Sequence, residues 1–420
     1  MASWILKRRR IAVMGRSLSG WLGIEQQPLR SALRRFGYRT YELEKRSGHE
    51  RDRAACSSLN DEALDRIGLY RLCVEMELCP AEMQTAGGDR AEERRRSIRE
   101  ELRQLAAVVQ GAIDQVDPHQ LVIVQGYVPI AAISRSLGIA RGIRVIALEN
   151  TAVNSRLLWD DISAITTNRN LSKSYYWRLC DHVSQEDADA YFGSLWDRKQ
   201  ELKSTEHASP KQKFPRSRSG EPLVLFLGQV YTDSSVIFGS GAWGTPTAIL
   251  RQLTLLSETM GFQLAVKLHP KEASGRAPMT DAPYDRLTWR KMLADPTLEA
   301  ALTGPAPLVV DKDNEYDTYS MIDQADVVVT LNSQAGLEAA SRGVPTVVCG
   351  DAFYAGLGFT FDAPDPLAFE AQLARALGVQ GEVREQLGAE ARKFTYVHFE
   401  RYCIKKDPFA VASLVAEGDL

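Results

Sequence analysis

The chain has 420 residues, of which 44% are hydrophobic and 25% are charged, close to the averages of globular proteins. These proportions exclude a disordered, fibrous or collagen-like chain, and the length suggests two or three domains. The 51 Lys and Arg residues against 54 Asp and Glu residues give a formal net charge of −3. The chain therefore lacks the basic excess of a typical nucleic-acid-binding protein, and we expect no nucleic-acid partner.

The cysteine pattern and the apolar runs bear on the compartment. The six cysteines show neither a C-x-x-C pair nor zinc-type spacing and are far fewer than a disulfide scaffold contains, so we predict reduced thiols. Only six residues precede the first basic run, and no later stretch approaches ~18 consecutive apolar positions. The sequence predicts neither a secretion signal nor a membrane-spanning helix, and we expect the protein in the cytoplasm.

A basic cluster stands near the start of the sequence and consists of Lys7, Arg8, Arg9 and Arg10. Such a cluster is attracted to anionic lipid head groups. It is also compatible with a solvated surface patch, and both interpretations stay open. Under the first, the protein makes peripheral contact with the inner face of the membrane through these residues.

The first half of the chain alternates short apolar runs with segments of helical period. Strands are predicted at residues 11–15, 38–43, 121–125 and 145–148. Helices are predicted at residues 29–36, about 61–107 and 130–137. This alternation indicates a parallel sheet.

The second half repeats the same rhythm after a polar segment. Residues 204–222 are rich in Ser, Lys, Arg and Pro and lack an apolar period, which predicts an interdomain linker. Strands are predicted at residues 223–227, 263–267, 308–311, 327–330 and 344–349. Helices are predicted at residues 248–260, from about 335, and over most of 366–415.

These patterns predict an α/β protein with two doubly wound, Rossmann-like domains. We place the N-terminal domain at residues 1–203, the linker at 204–222, the C-terminal domain at 223–390 and a final helical segment at 391–420. In such folds ligands bind at the carboxyl ends of the strands. Polar side chains just after each predicted strand are therefore the candidate site residues.

One candidate group ends the predicted strand at 263–267. Lys267 is followed after one residue by His269 and Pro270. A cation and an imidazole at a strand end can bind a phosphate or carboxylate, or the imidazole can act as an acid. The alternative is that His269 is a structural histidine.

A second group follows the predicted strand at 327–330. Asn332 and Ser333 can cap the next helix, whose free amides and dipole favour an anion. Gly336 would let a phosphate approach the backbone closely, and Glu338 could accept sugar hydroxyls. The alternative is a merely capped helix in which Glu338 favours its own helix dipole.

Further polar residues follow two more strands. Gln229 and Asp233 lie after the strand at 223–227, where Asp233 could serve as a base, a nucleophile or a simple helix cap. Glu149 and Asn150 end the strand at 145–148 in the first half. Two carboxylates meeting across an interdomain cleft, one protonated and one ionised, would suit glycosyl chemistry.

The order of these residues resembles the capsular polysaccharide biosynthesis family, which includes bacterial transferases of Kdo, an acidic eight-carbon sugar, from CMP-Kdo. The resemblance rests on His269-Pro270, on Ser-x-x-Gly-Leu-Glu-Ala at residues 333–339, and on Gly-Asp-x-Phe-Tyr at residues 350–354. It covers residues 223–360 most clearly.

The resemblance implies a GT-B architecture, in which two Rossmann-like domains face across a cleft and the second mainly binds the donor nucleotide. Carried over residue by residue, it implies that Asp233 is the catalytic carboxylate, Glu149 an acid/base partner and His269 a ligand of the donor phosphate or carboxylate. Transfer would be from a nucleotide sugar to a glycan or glycolipid acceptor.

The resemblance also implies donor-binding roles. Ser333 and Gly336 would hold the phosphate and Glu338 the ribose or base, while three further residues would line the donor site: Lys267, Gln229 and Asn332. No metal or other cofactor is expected, because a CMP-sugar carries a single phosphate. Asp311 and Asp313 have the spacing of an Asp-x-Asp metal motif, but we interpret this stretch as a solvated loop.

Two other functions stay open beside a glycosyltransferase. One is a nucleotide-sugar epimerase or hydrolase, since the same fold hosts several activities. The other is a polysaccharide-binding protein without catalysis in capsule assembly or export. The joint presence of Glu149, Asp233 and His269 favours catalysis.

Overall fold

The chain forms two compact units in a computed structural model that describes residues 9–43, 58–165, 172–206, 212–214, 220–277, 280–304 and 308–417. The first unit comprises Met1–Leu72, Asp89–Leu171 and Phe399–Leu420. The second comprises Cys73–Gly88 and Ser172–His398. The chain therefore passes from one unit to the other more than once.

The strands form one sheet in each unit. The first unit contains β1 (Arg9–Val13), β2 (Tyr38–Glu42), β3 (Gln120–Val124), β4 (Arg144–Asn150), β5 (Arg156–Asp160) and β12 (Ile404–Lys405). The second contains β6 (Leu223–Leu227), β7 (Gln263–Lys267), β8 (Val309–Asp311), β9 (Val327–Thr330), β10 (Thr346–Val348) and β11 (Phe361–Asp362).

The helices connect these strands. They are α1 (Gly15–Leu22), α2 (Gln26–Arg35), α3 (Asp61–Met76), α4 (Pro80–Glu82), α5 (Gly88–Val116), α6 (Pro129–Ala140), α7 (Ser172–Leu179), α8 (Gln185–Glu206), α9 (Ser234–Gly239), α10 (Pro246–Met260), α11 (Pro270–Ser274), α12 (Leu287–Ala294), α13 (Pro296–Thr303), α14 (Thr318–Gln324), α15 (Gln334–Ser341), α16 (Pro366–Leu377), α17 (Gly381–Tyr396) and α18 (Pro408–Glu417). Short 3₁₀ or π-helical segments lie at Met83–Gly87, Cys180–His182, Gly241–Trp243 and Val397–Tyr402.

The sheet of the first unit has the strand order β12-β5-β4-β3-β1-β2. Strands β1 to β4 pair in parallel with one another, and the pairings of β4 with β5 and of β5 with β12 are antiparallel. The chain first goes from β1 to β2 and later to β3 and β4 on the opposite side of β1. This reversal of direction is the doubly wound arrangement.

The sheet of the second unit has the order β11-β10-β9-β6-β7-β8, and all its pairings are parallel. Alternate residues of β6 enter different cores. Val224 and Phe226 pack in one hydrophobic cluster, whereas Leu223, Leu225 and Leu227 pack in another. The sheet is thus buried on both faces, which explains why its strands are continuous apolar runs.

The predicted α/β fold class is confirmed, since each of the two units is a doubly wound, Rossmann-like domain. Every predicted strand is present. The sequence missed β5, β11 and β12, because the latter two contain only two residues each and β5 mixes polar with apolar side chains.

The predicted domain boundaries differ from the two units. Residues 172–203, predicted in the N-terminal domain, belong to the second unit, where the Tyr176 hydroxyl donates to Glu390 at 2.7 Å. Residues 399–420 return to the first unit, where Trp159 Nε1 donates to the Tyr402 carbonyl at 2.9 Å. Within the predicted linker at 204–222, Phe214 is buried in a core of the second unit, and residues 207–211 and 215–219 lie outside the described part.

The basic cluster is only partly described. Lys7 and Arg8 lie outside the described residues, and Arg9 begins β1. The Arg10 guanidinium forms an ion pair with Asp117 and donates to the Asp117 carbonyl at 2.7 Å. Membrane contact through this cluster stays a prediction. Among the described helices, none is both long enough and apolar enough to cross a bilayer.

Candidate functional site

The candidate site of the second unit lies at the carboxyl edge of its sheet. The chain runs outward from β6 through β7 to β8 and then resumes at β9 on the other side of β6. The loops that follow β6, β7 and β9 therefore leave the sheet side by side, around the switch point between β6 and β9. Doubly wound folds bind their ligands in the crevice at this place.

Asp233 lies in the loop after β6 and caps α9. Its Oδ1 accepts hydrogen bonds from the backbone N–H of Ser235 at 2.8 Å and from the Ser235 hydroxyl at 2.7 Å. The residue is half-buried, and its Oδ2 has no hydrogen-bond partner among the described residues. Asp233 is thus a helix cap and, at the same time, a carboxylate with one oxygen left for a ligand.

His269 follows β7 and caps α11. Its Nδ1 accepts the backbone N–H of Lys271 at 3.1 Å, so in the neutral imidazole the proton is on Nε2. Burial lowers the pKa of His269 below its ordinary value, and the positive charges of Lys271 and Lys267 act in the same direction. The negative charge of Asp233 opposes them. His269 is therefore a neutral side chain whose Nε2–H can donate to a ligand.

Ser333 follows β9 and caps α15 through a 3.3 Å hydrogen bond from the backbone N–H of Ala335 to its Oγ. The Ser333 carbonyl accepts the hydroxyl of Tyr354 at 2.5 Å, and the Ser333 N–H donates to Thr330 Oγ1 at 3.2 Å. The predicted strand end and helix cap are both present. The start of α15 is thus rigidly tied to β9.

Gln229 and Asn332, predicted to contact the donor, are engaged within the protein. Gln229 Oε1 accepts the backbone N–H of Asn332 at 3.2 Å, and Gln229 Nε2 donates to Ser235 Oγ at 2.6 Å. Asn332 is only 5% exposed, and its Nδ2 donates to the Ser235 carbonyl at 2.8 Å. Both side chains hold the loops of the site together.

Lys267 has a structural role in place of the predicted donor contact. It is 2% exposed and forms a buried ion pair with Asp311 at the end of the neighbouring strand β8. Its Nζ also donates to Asn314 Oδ1 at 2.7 Å and to the Tyr316 carbonyl at 2.8 Å. Since an ammonium group has three donors, none is left for a phosphate.

The interpretation of Asp311 as part of a solvated loop is wrong, because this side chain is buried in the ion pair with Lys267. Asp311 is 3% exposed and also accepts the backbone N–H groups of Glu315 and Tyr316 at 2.8 and 3.1 Å. Asp313 is paired with Arg286 and Lys312 instead. Among the described residues, no group of three His, Cys, Asp or Glu side chains is arranged to hold a metal ion.

Gly336 is required by packing inside the protein. A Cβ at this position would lie 2.2 Å from the Tyr354 hydroxyl oxygen and 2.8 Å from Thr330 Cγ2. The lack of a side chain at Gly336 therefore makes room for Tyr354, which is fully buried. Packing against Tyr354, and not the expected close approach of a phosphate, explains why a glycine is needed at this position.

Glu338 lies on α15 and is half-buried. Its carboxylate accepts a hydrogen bond from the hydroxyl of the buried Tyr319. Burial raises the pKa of Tyr319, and the contact with Glu338 acts in the same direction. A role in binding ribose or base stays a prediction.

Glu149 belongs to the first unit, where it lies near the carboxyl end of β4. Its Oε1 accepts Gln125 Nε2 at 3.2 Å. Gln125 follows β3 and has a positive φ of 64°, a conformation that is uncommon for residues other than glycine. The sequence did not predict Gln125 as a partner of Glu149, since nothing in the residue pattern marks its backbone conformation.

The relation to known proteins follows from the sequence match. The family model "Capsule polysaccharide biosynthesis protein" matches residues 162–402, more than half of the chain. The chain belongs to this family. The match contains the whole set of candidate residues around β6, β7 and β9, whereas Glu149 lies outside it.

One curated relative is the lipopolysaccharide-processing protein LpsZ of Rhizobium meliloti, which is 26% identical over 182 residues. The match covers 43% of this capsule-family chain and 33% of LpsZ, so the chain spans about a third of that relative's length.

Two solved structures are similar in fold. The KpsC beta Kdo 2,4 transferase of Thermosulfurimonas dismutans has a TM-score of 0.44 at 17% identity, covering 71% of this chain and 87% of that one. The UDP-GlcNAc 2-epimerase of Neisseria meningitidis has a TM-score of 0.32 at 10% identity, covering 97% and 98%. Because both TM-scores are below 0.5, neither likeness assigns an activity to this capsule-family protein.

Proposed function

We propose that this protein is a nucleotide-sugar-dependent glycosyltransferase of capsule or other cell-surface polysaccharide synthesis. The observation that carries the proposal is the convergence of three groups at the switch point of the second sheet. They are the Asp233 carboxylate with a free oxygen, the neutral His269 with an available Nε2–H, and the start of α15 at Ser333.

The donor phosphate would bind between His269 and the start of α15. The dipole of α15 and the backbone N–H of Gln334, its first residue, favour an anion, and Nε2–H of His269 adds a donor from the neighbouring loop. A CMP-sugar has only one phosphate, so these neutral donors suffice in principle without a metal ion. This argument, with the family membership, supports CMP-Kdo as the first donor to test.

Asp233 would act on the reacting sugar. In transfer, an acceptor hydroxyl oxygen bonds to the anomeric carbon, the bond from that carbon to the phosphate oxygen breaks, and the nucleotide leaves as the phosphate monoester. Asp233 would take the proton of the acceptor hydroxyl in a single displacement. Alternatively, its carboxylate would attack the anomeric carbon as the phosphate leaves, and the acceptor oxygen would then displace the carboxylate, which takes the acceptor proton. His269 would stabilise the charge that develops on the leaving phosphate. The predicted role of Glu149 as an acid/base residue stays a prediction.

The test is transfer from CMP-Kdo to a cell-surface glycan acceptor, followed by mass spectrometry of the product and by CMP release. We expect Asp233→Asn and His269→Asn to fold and to lose transfer by about 10²-fold or more. Asp326→Asn is the control, because Asp326 accepts the Leu223 N–H at 2.7 Å at the opposite edge of the same sheet. Wild-type transfer by both site variants would refute the roles, and CMP release without an acceptor product would indicate a hydrolase.

A further inference from the structure

A buried carboxylate joins the loop of Asp233 to the segment of His269. Glu272 is the third residue of α11 and is 1% exposed, although the first turn of a short helix is usually accessible to solvent. Burial raises the pKa of Glu272 above its ordinary value. A carboxylate in such a position is stable only when hydrogen bonds replace its hydration.

Three hydrogen bonds from two other segments fulfil this condition. Glu272 Oε1 accepts the backbone N–H of Tyr231 at 2.9 Å and the hydroxyl of Thr288 at 2.7 Å. Glu272 Oε2 accepts the backbone N–H of Thr288 at 2.8 Å. The side chain therefore links α11 to the loop after β6 and to the start of α12.

The bond to Tyr231 bears directly on Asp233. Tyr231 is two residues upstream of Asp233, and the Asp233 N–H donates to the Val230 carbonyl at 2.9 Å, which closes a tight turn around Tyr231. The Tyr231 side chain is fully buried. The position of the Tyr231 backbone thus determines the position of the Asp233 backbone, from which the carboxylate extends.

The other end of the link is His269. The Glu272 N–H donates to the His269 carbonyl at 2.9 Å, so both residues belong to the same helical turn. The His269 imidazole is fixed in that turn by its bond to the Lys271 N–H. We propose that Glu272 is a positioning residue, which sets the separation between the Asp233 carboxylate and the His269 imidazole.

The alternative is that Glu272 only stabilises the packing of α12 on α11. That role predicts a loss of stability without a change at His269 or in turnover per folded molecule. The catalytic consequence of our proposal rests on the proposed transferase function, whereas the effect on His269 does not.

The first readout is the pKa of His269 in the full-length protein, measured by NMR with ¹⁵N-histidine labelling, and with His269→Gln to assign the signal. The charges that affect this imidazole are those of Asp233, Lys271 and Lys267. If Glu272→Gln lets the Asp233 loop move away, the imidazole loses a favourable negative charge. We expect the pKa of His269 to fall by about half a unit or more.

The second readout is the kinetics of transfer. We expect Glu272→Gln to lower kcat by about 10-fold or more with the donor KM nearly unchanged, because the Asp233 carboxylate is displaced while His269 and the start of α15 stay in place to hold the phosphate. Asp326→Asn is again the matched control, since it also removes a carboxylate that accepts a backbone N–H. It should leave the pKa of His269 and kcat at their wild-type values.

The outcomes separate the two proposals. If the wild-type protein transfers no sugar, the proposed function fails, while a fall in the pKa of His269 in Glu272→Gln would still support positioning. If neither the pKa of His269 nor kcat changes in folded Glu272→Gln, positioning is refuted. Should that variant fail to fold, Thr288→Val removes only the 2.7 Å bond and should shift both readouts in the same direction; no shift there would equally refute the proposal.

Discussion

The side-chain oxygen of Gln229 accepts the backbone N–H of Asn332 at 3.2 Å, and this hydrogen bond crosses the switch point of the second sheet. It joins the loop that carries Asp233 to the loop that carries Ser333. The amide of Gln229 also donates to Ser235, whose hydroxyl in turn donates to Asp233. The chain of hydrogen bonds Asn332–Gln229–Ser235–Asp233 therefore fixes the carboxylate relative to the start of α15.

Replacing Gln229 should disturb this chain. Gln229→Ala leaves the Asn332 N–H without its acceptor, and we expect a loss of about 1–3 kcal/mol in the free energy of unfolding. Gln229→Glu keeps an acceptor for that N–H and should lose less. Urea denaturation of both variants checks the order, and equal stability of Gln229→Ala and the wild type would show that the bond contributes nothing.

Lys267 should matter for stability rather than for the donor. Lys267→Met leaves the Asp311 carboxylate buried without its charge partner, and we expect about 3–5 kcal/mol of destabilisation. Lys271→Met, which changes an exposed lysine close by, is the control and should lie within about 0.5 kcal/mol of the wild type. Near-normal stability and weak nucleotide binding of Lys267→Met would contradict the structural role and support the predicted contact between Lys267 and the donor.

Gly336→Ala should destabilise the protein through Tyr354. The new Cβ would overlap with the Tyr354 hydroxyl, which we expect to cost about 1–3 kcal/mol. Tyr354→Phe removes that hydroxyl, so the double variant should be more stable than the sum of the two single variants predicts. Thermal unfolding of the four proteins measures the coupling. Strict additivity would argue against this packing explanation of Gly336.

Stability should fall in mild acid because of His398. This residue is 3% exposed and stacks on Phe353 at 4.6 Å between ring centroids, and burial lowers its pKa to about 3. Below the ordinary histidine pKa of about 6.5, His398 binds a proton in the unfolded chain but stays neutral in the folded chain. The contribution of His398 to the free energy of unfolding is thus fully present above about pH 6.5 and is lost as the pH falls towards 3.

The control for that decline is His398→Phe, which keeps an aromatic ring and cannot titrate. Between pH 7.5 and 5.5 the wild type should lose about 1.4 kcal/mol more than the variant. Chemical denaturation at the two pH values measures this difference, and parallel losses in both proteins would place the acid sensitivity elsewhere.

The sequence predicted the sheets well because the strands of a buried parallel sheet are continuous apolar runs, as in β6 and β9. It also predicted that Asp233, His269 and Ser333 lie together, because the topology of a doubly wound fold puts the residues after such strands at one edge. Their capping bonds are the local reason for these residue types.

The sequence could not distinguish exposed polar residues from buried ones at that edge. Lys267 and Asp311 follow their strands in the same pattern as Asp233 and His269, yet they pair with each other because β7 and β8 are neighbours in register. Conversely, the sequence did not mark Glu272 as a buried residue of the site. A glutamate in the first turn of a helix is ordinary, and only the approach of Tyr231 and Thr288 makes it a buried acceptor.

The proposed transferase activity requires a donor nucleotide to bind at the start of α15. The direct measurement is a thermal-shift titration of the full chain with CMP, UDP, GDP and their sugars, because a ligand that binds only the folded state raises the Tm. We expect stabilisation by CMP and CMP-Kdo that Ser333→Trp abolishes and Asp326→Asn preserves. Stabilisation by UDP or GDP alone would contradict the donor class, and no stabilisation by any nucleotide would contradict the transferase itself.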